Sequence, residues 1–116
     1  MTHEEKKIGK IVEELTMYFF SIGADHIVSA IDRAGRDVTI TMECNYLPEC
    51  REELSRLSEY LNEPKNDGVE DIYWELAGSG DPGESSQLLL LGMMLDKAEV
   101  DIGEDKISLK LYKELL

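Results

Sequence analysis

Two stretches of this chain alternate between apolar and polar side chains with a period of two. Val38, Ile40 and Met42 interleave with Thr39, Thr41 and Glu43, and Ile107, Leu109 and Leu111 interleave with Ser108 and Lys110. Successive side chains of a strand point to opposite faces, so this pattern calls for strands with one dry face and one wet face. A parallel sheet covered on both sides would read as continuous apolar runs instead. Each alternating stretch has a partner just upstream. Residues 26–32 precede 37–43 across Asp32-Arg33-Ala34-Gly35-Arg36, where Gly35 can supply a positive φ. Residues 98–102, with Ala98, Val100 and Ile102 alternating against Glu99 and Asp101, precede 106–112 across Gly103-Glu104-Asp105. The expectation is two hairpins, each with a buried face and a wetter face.

Between and before the hairpins the apolar period lengthens. In 4–22, Ile8, Ile11, Val12, Leu15, Tyr18, Phe19 and Ile22 follow the i, i+3, i+4, i+7 spacing of a helix. Thr2 with Glu5 reads as a capping box, and Gly23 as the residue that ends the helix. The apolar surface of this helix, Tyr18-Phe19-Phe20 included, exceeds what one core needs. Pro48 opens a second helix over 49–62, with Leu54, Leu57 and Leu61 inward and Asn62 and Pro64 closing it. Residues 64–68 are a loop by composition, and 69–77 fit a short helix or a strand, with helix favoured. The glycine-rich run 78–86 leads into a third main helix over 85–97. Helices and antiparallel hairpins in this order predict a single α+β domain over 1–116, a two-layer sandwich. Its sheet would be mixed but mostly antiparallel, with the helices on one face.

Acidic residues outnumber basic ones 25 to 12 in the 116 residues, for a formal net charge of -13. Such a field repels phosphate backbones and anionic lipid surfaces, so nucleic-acid and membrane partners are not expected. Apolar content of 42% with 32% charged residues is that of a globular domain rather than a disordered one. The longest apolar run, around Leu88–Leu95, is far too short to span a bilayer. The polar start lacks the apolar core of a signal peptide, and Cys44 and Cys50 form no C-x-x-C motif. Together these predict a cytoplasmic protein with reduced thiols. His3 and His26 have no ligand-type neighbours at metal-binding spacing, and Asp67-Gly68-Val69-Glu70-Asp71 lacks the alternating oxygen ligands of an EF-hand.

Three segments carry a family resemblance. They are the helix Val12–Gly23; the strand and loop Val38–Asn45 with Leu47-Pro48-Glu49; and Ser85–Asp96 with the hairpin that follows it. In their order and wording they resemble the N-box, the Asp-x-Gly box and the last glycine box of the GHKL ATP-binding domain. That is the fold of sensor histidine kinases and anti-sigma-factor serine kinases, and the last segment is closest to the anti-sigma-factor branch. The resemblance implies a histidine kinase-like ATPase fold with a nucleotide pocket at Glu14, Tyr18, Cys44, Asn45 and Ser85.

The chemistry at those positions departs from the family pattern. Tyr18 stands where the family places the Asn that holds magnesium, and a phenol is a poor hard-cation ligand. Glu14 does match the acidic position before it. Cys44, or Glu43 in a register shifted by one, stands at the Asp that accepts from adenine, and a thiol is a weak acceptor. Asn45-Tyr46 replaces the glycine region, and Ser85-Ser86-Gln87 is bulky for a helix start that cradles phosphate, although Gly78, Gly80 and Gly83 lie upstream. The implied function is a non-catalytic regulatory or protein-interaction domain without cofactor, acting on a protein partner or as a homodimer. The competing expectations are an ATP-dependent kinase binding ATP and magnesium through divergent boxes, and an unrelated small α+β fold such as a ferredoxin-like plait.

Overall fold

The computed structural model describes residues 1–62 and 85–115, with the backbone alone at 85–87 and 90. The readings of 64–68 and 69–77, and the glycine-rich run as far as 84, lie outside the described residues. The chain forms α1 (His3–Ser21), β1 (Ile27–Ala34), β2 (Asp37–Asn45), a 3-10 turn (Pro48–Cys50), α2 (Arg51–Leu54) and α3 (Leu57–Leu61). Then follow α4 (Ser85–Gly92), β3 (Lys97–Ile102) and β4 (Lys106–Glu114). Among the described residues four strands make one sheet in the order β1-β2-β4-β3, and all three of its pairings are antiparallel, in place of the mixed sheet expected.

Helix α1 starts where its capping box sits. The Thr2 N–H donates to Glu5 Oε1 at 2.9 Å, and the Glu5 N–H donates to Thr2 Oγ1 at 3.1 Å. These bonds to Thr2, with Arg33 beside the carboxylate, hold the Glu5 carboxyl below its ordinary pKa. The helix ends at Gly23, with φ +85°, where any Cβ would collide with the Leu47 side chain. The first hairpin turns on Gly35-Arg36, with Gly35 at φ +64°.

One face of the sheet is dry. Val38, Ile40, Met42 and Cys44 of β2 and Ile107, Leu109 and Leu111 of β4 are buried in a common core with Ile11, Leu15 and Phe19 of α1. Leu54, Leu57 and Leu61, and Leu88 and Leu91 of α4, complete it. The helices therefore cover one face of a two-layer α+β sandwich. Lys113 occupies a dry-face position of β4 and is buried, its Nζ donating to the Met94 carbonyl at 2.8 Å. The buried ammonium is thus held by a charge-assisted hydrogen bond to a carbonyl in the turn that follows α4.

Three expectations need correction. The helix expected over 49–62 is broken: Ser55 Oγ donates to the Glu52 carbonyl at 2.6 Å and diverts it from regular pairing, so the chain bends between α2 and α3. That bend keeps Leu54, Leu57 and Leu61 all buried. The helix expected to run to 97 stops at Gly92, where α4 crosses α3 so closely that a Cβ would strike the Tyr60 carbonyl. Last, β1 has no buried face at all; Ile27 is half-buried and every other residue of the strand is exposed.

Candidate functional site

Of the five positions implied by the resemblance, Tyr18 and Cys44 are packed in the apolar core, Glu14 is buried beside a lysine, Asn45 ends β2 and Ser85 begins α4. Tyr18 is on the inner face of α1 and is 3% exposed. Cys44, on the dry face of β2, is 1% exposed. Burial raises the Tyr18 phenol far above its ordinary pKa, and Glu53, Tyr60, Cys50 and Cys44 push it the same way. Those influences place the hydroxyl where α1, β2, the 3-10 turn, α2 and α3 converge. Burial also raises the Cys44 thiol to about 11. Both groups are thus neutral near pH 7 and packed as core, and neither thiolate nor phenolate is available there.

Glu14, one turn before Tyr18, is also buried, with its Oε1 3.4 Å from Lys10 Nζ. Asn45 is committed to the chain that enters β1. Its Oδ1 accepts from the Asp25 and His26 N–H groups at 3.0 and 3.1 Å, and its Nδ2 donates to Asp25 Oδ1. It works as a clamp on the start of the hairpin, its oxygen accepting twice and its nitrogen donating to Asp25. Ser85 is the first residue of α4. The structure therefore brings Tyr18 and Cys44 into one neighbourhood and turns Asn45 toward the Asp25–His26 bend.

Around that neighbourhood the accessible surface is acidic. Glu49, Glu52 and Glu53, with Arg56 and Tyr60, line an open depression of about 440 Å³. Its three carboxylates outnumber its one guanidinium, Arg56, so the depression disfavours anions. Among the described residues no three His, Cys, Asp or Glu side chains converge as a metal site, and no helix is long and apolar enough to cross a membrane.

Two features escaped the sequence reading. Tyr46 and Arg51 tie the β2–α2 connection to the second hairpin: Tyr46 Oη lies 2.6 Å from the Gly103 carbonyl, and Arg51 Nη1 donates to Tyr46 Oη and to that carbonyl, each at 2.9 Å. No local pattern signals a contact this distant in the chain. The other is the open strand β1. There Val28 and Ile31, on opposite faces, are 51% and 52% exposed. Its signal was available, since Ile27-Val28-Ser29-Ala30-Ile31 breaks the alternation seen in the other three strands. An apolar groove of about 180 Å³ runs beside it, lined by Ile8, Ile31, Val38 and Leu115 and closed at one end by the Glu5–Arg33 ion pair at 3.0 Å. No protein-family model matches the chain, and no curated protein matches its sequence.

Proposed function

We propose that this chain is a non-catalytic regulatory or protein-interaction domain related to the histidine kinase-like ATPases, and that it works without nucleotide. The observation that carries this reading is the state of Tyr18 and Cys44. At the positions corresponding to the family's magnesium-holding Asn and adenine-binding Asp, a phenol and a thiol are packed into the hydrophobic core. A ligand at that place would have to displace core side chains, each worth about 1.5–3 kcal/mol of burial.

The acidic depression beside α2 supports the same reading, because Glu49, Glu52 and Glu53 outnumber the one cation lining it, Arg56, and so disfavour a triphosphate. Helices over one face of an antiparallel sheet, with β2 and β4 adjacent at its centre, fit an α+β domain, and the kinship to the histidine kinase-like ATPases rests on the three sequence segments. The anti-sigma-factor branch remains the nearest in wording. Its net charge of -13 favours a protein partner over nucleic acid or an anionic membrane, and we place its action in the cytoplasm on the sequence reading alone.

Calorimetric titration with magnesium-ATP and magnesium-ADP tests the proposal. No heat at millimolar nucleotide is the expected result. Saturable micromolar binding overturns it and returns the chain to the ATP-binding kinase reading, with Glu14 as the first residue to replace.

A further inference from the structure

The two margins of the sheet present different backbones. The Asn45 N–H donates to the His26 carbonyl at 3.4 Å, so that pair is a hydrogen-bonded one. Antiparallel partners alternate between residues that exchange both main-chain hydrogen bonds and residues that exchange none. Continuing the β1–β2 register from that pair, the even-numbered residues of β1 bond to β2, and Ile27, Ser29, Ile31 and Arg33 turn their N–H and C=O outward. Among the described residues none pairs with those groups. Of the usual edge protections, β1 has no Pro or Lys and its register runs without a bulge; its charges, Asp32 and Arg33, sit together at its far end and leave residues 27–31 uncharged.

At the other margin, the Gly103–Lys106 hydrogen bond sets the opposite parity, and Ala98 is the first residue of β3 to face outward. Its N–H is taken by Asn62 Oδ1 at 3.2 Å, and Lys97, Glu99 and Asp101 charge the strand.

The open strand is complementary to its own antiparallel image. About a centre at Ser29, Asp25 of one copy faces Arg33 of the other, and His26 faces Asp32. Ile27 then faces Ile31, Val28 faces Ala30, and Ser29 faces Ser29. Apolar residues meet apolar ones, opposite charges meet, and no like charges lie opposite. The parity also fits, because the outward-facing residues Ile27, Ser29 and Ile31 fall opposite one another and can exchange their free hydrogen bonds. The dry faces stay on the same side of the joined sheet.

We infer that this chain self-associates by antiparallel pairing of β1 with β1 of a second copy, about a two-fold axis through Ser29. This gives the interaction role proposed above a surface. It rests on that reading only in that the domain acts by binding protein; nucleotide titration tests the reading separately, so either can fail alone. The net charge of -13 opposes association at long range, which places the test at physiological ionic strength, where the Debye length is about 8 Å.

Sedimentation of the full chain from micromolar to submillimolar concentration is expected to show a reversible dimer. Ser29→Pro removes an outward N–H that the β1–β2 ladder does not use, so the monomer keeps its fold by circular dichroism and the dimer is lost. Ser29→Cys places two thiols in a hydrogen-bonded pair with Cα atoms about 5.5 Å apart, within disulfide reach, and should cross-link on oxidation. Ala30→Cys, offset from its own copy along the strand, should not, and the parent chain controls for Cys44 and Cys50. A monomer at every concentration overturns the inference and leaves the edge to an extended segment of a different protein. A dimer indifferent to Ser29→Pro overturns it, as does faster cross-linking of the Ala30→Cys variant than of the Ser29→Cys variant.

Discussion

The two hairpins are made alike and finish in opposite conditions. In the second, the inward positions of the outer strand are Ala98, Val100 and Ile102, and α3 packs against them. In the first, the corresponding positions are Ile27, Ser29, Ile31 and Arg33, beyond the main helical layer, with a polar residue at every second place. The difference shows that an outer strand is sealed by what the sequence lays over it, and that pairing with a buried neighbour does not make a strand buried. The Ile31–Ile40 pair makes the point within one cross-strand contact: Ile40 is fully buried, and its partner is half exposed.

That pair offers the largest test of the comparison. Ile40→Ala should cost about 2–5 kcal/mol in urea unfolding, the range for a core truncation that leaves a cavity. Ile31→Ala, at concentrations where the chain is monomeric, should cost under about 1 kcal/mol, since much of that side chain never leaves water. Equal losses would mean that the open margin is closed in solution.

A second test asks whether β2 stays sealed beside its open neighbour. Cys44 pairs with Ile27 of β1, yet its thiol pKa is raised from an ordinary 9.0 to about 11. A group whose native pKa is raised keeps its full stabilising effect below the unfolded pKa. As pH climbs from 9 toward 11, the unfolded chain loses its proton first and stability falls, on the order of 2 kcal/mol across that window. Alkylation of native protein at pH 8 should therefore modify Cys50 well before Cys44. Prompt modification of Cys44 would show that water reaches β2 through the β1 margin.

The smallest effect concerns the guarded margin. Asn62→Ala removes the acceptor on the Ala98 N–H and should cost about 1 kcal/mol, with faster amide exchange at Ala98. An unchanged exchange rate would mean that β3 is protected by its charges and α3 packing alone.

How much of this was legible in advance depends on how local the cause is. The capping box at Thr2 and Glu5, the turn at Gly35 and the dry faces of β2 and β4 each follow from residues a few positions apart, and each was read from the sequence. The stop at Gly92 was not, because it depends on the Tyr60 carbonyl of another helix. The break at Ser55 was missed because helical spacing survives the bend, which keeps the same three leucines inside. Of the candidate site, the types of residue were legible but their surroundings were not. Nothing local tells that the Asn45 amide is consumed by Asp25 and His26, or that Glu14 lies beneath Lys10.

The strand order has a kinetic consequence. β1 joins β2 and β3 joins β4 through short turns, and such hairpins form within about 1–10 μs. The central pairing of β2 with β4 instead joins residues such as Asp37 with Glu114 and Asn45 with Lys106, from distant parts of the chain. Closing that long loop costs entropy before any of the central contacts can form, so the β2–β4 pairing is the step expected to limit folding, which a truncation in either central strand tests through its effect on the refolding rate. Until the hairpins dock, the apolar faces of β2 and β4 are both open, and that interval is when the chain is most exposed to misassembly.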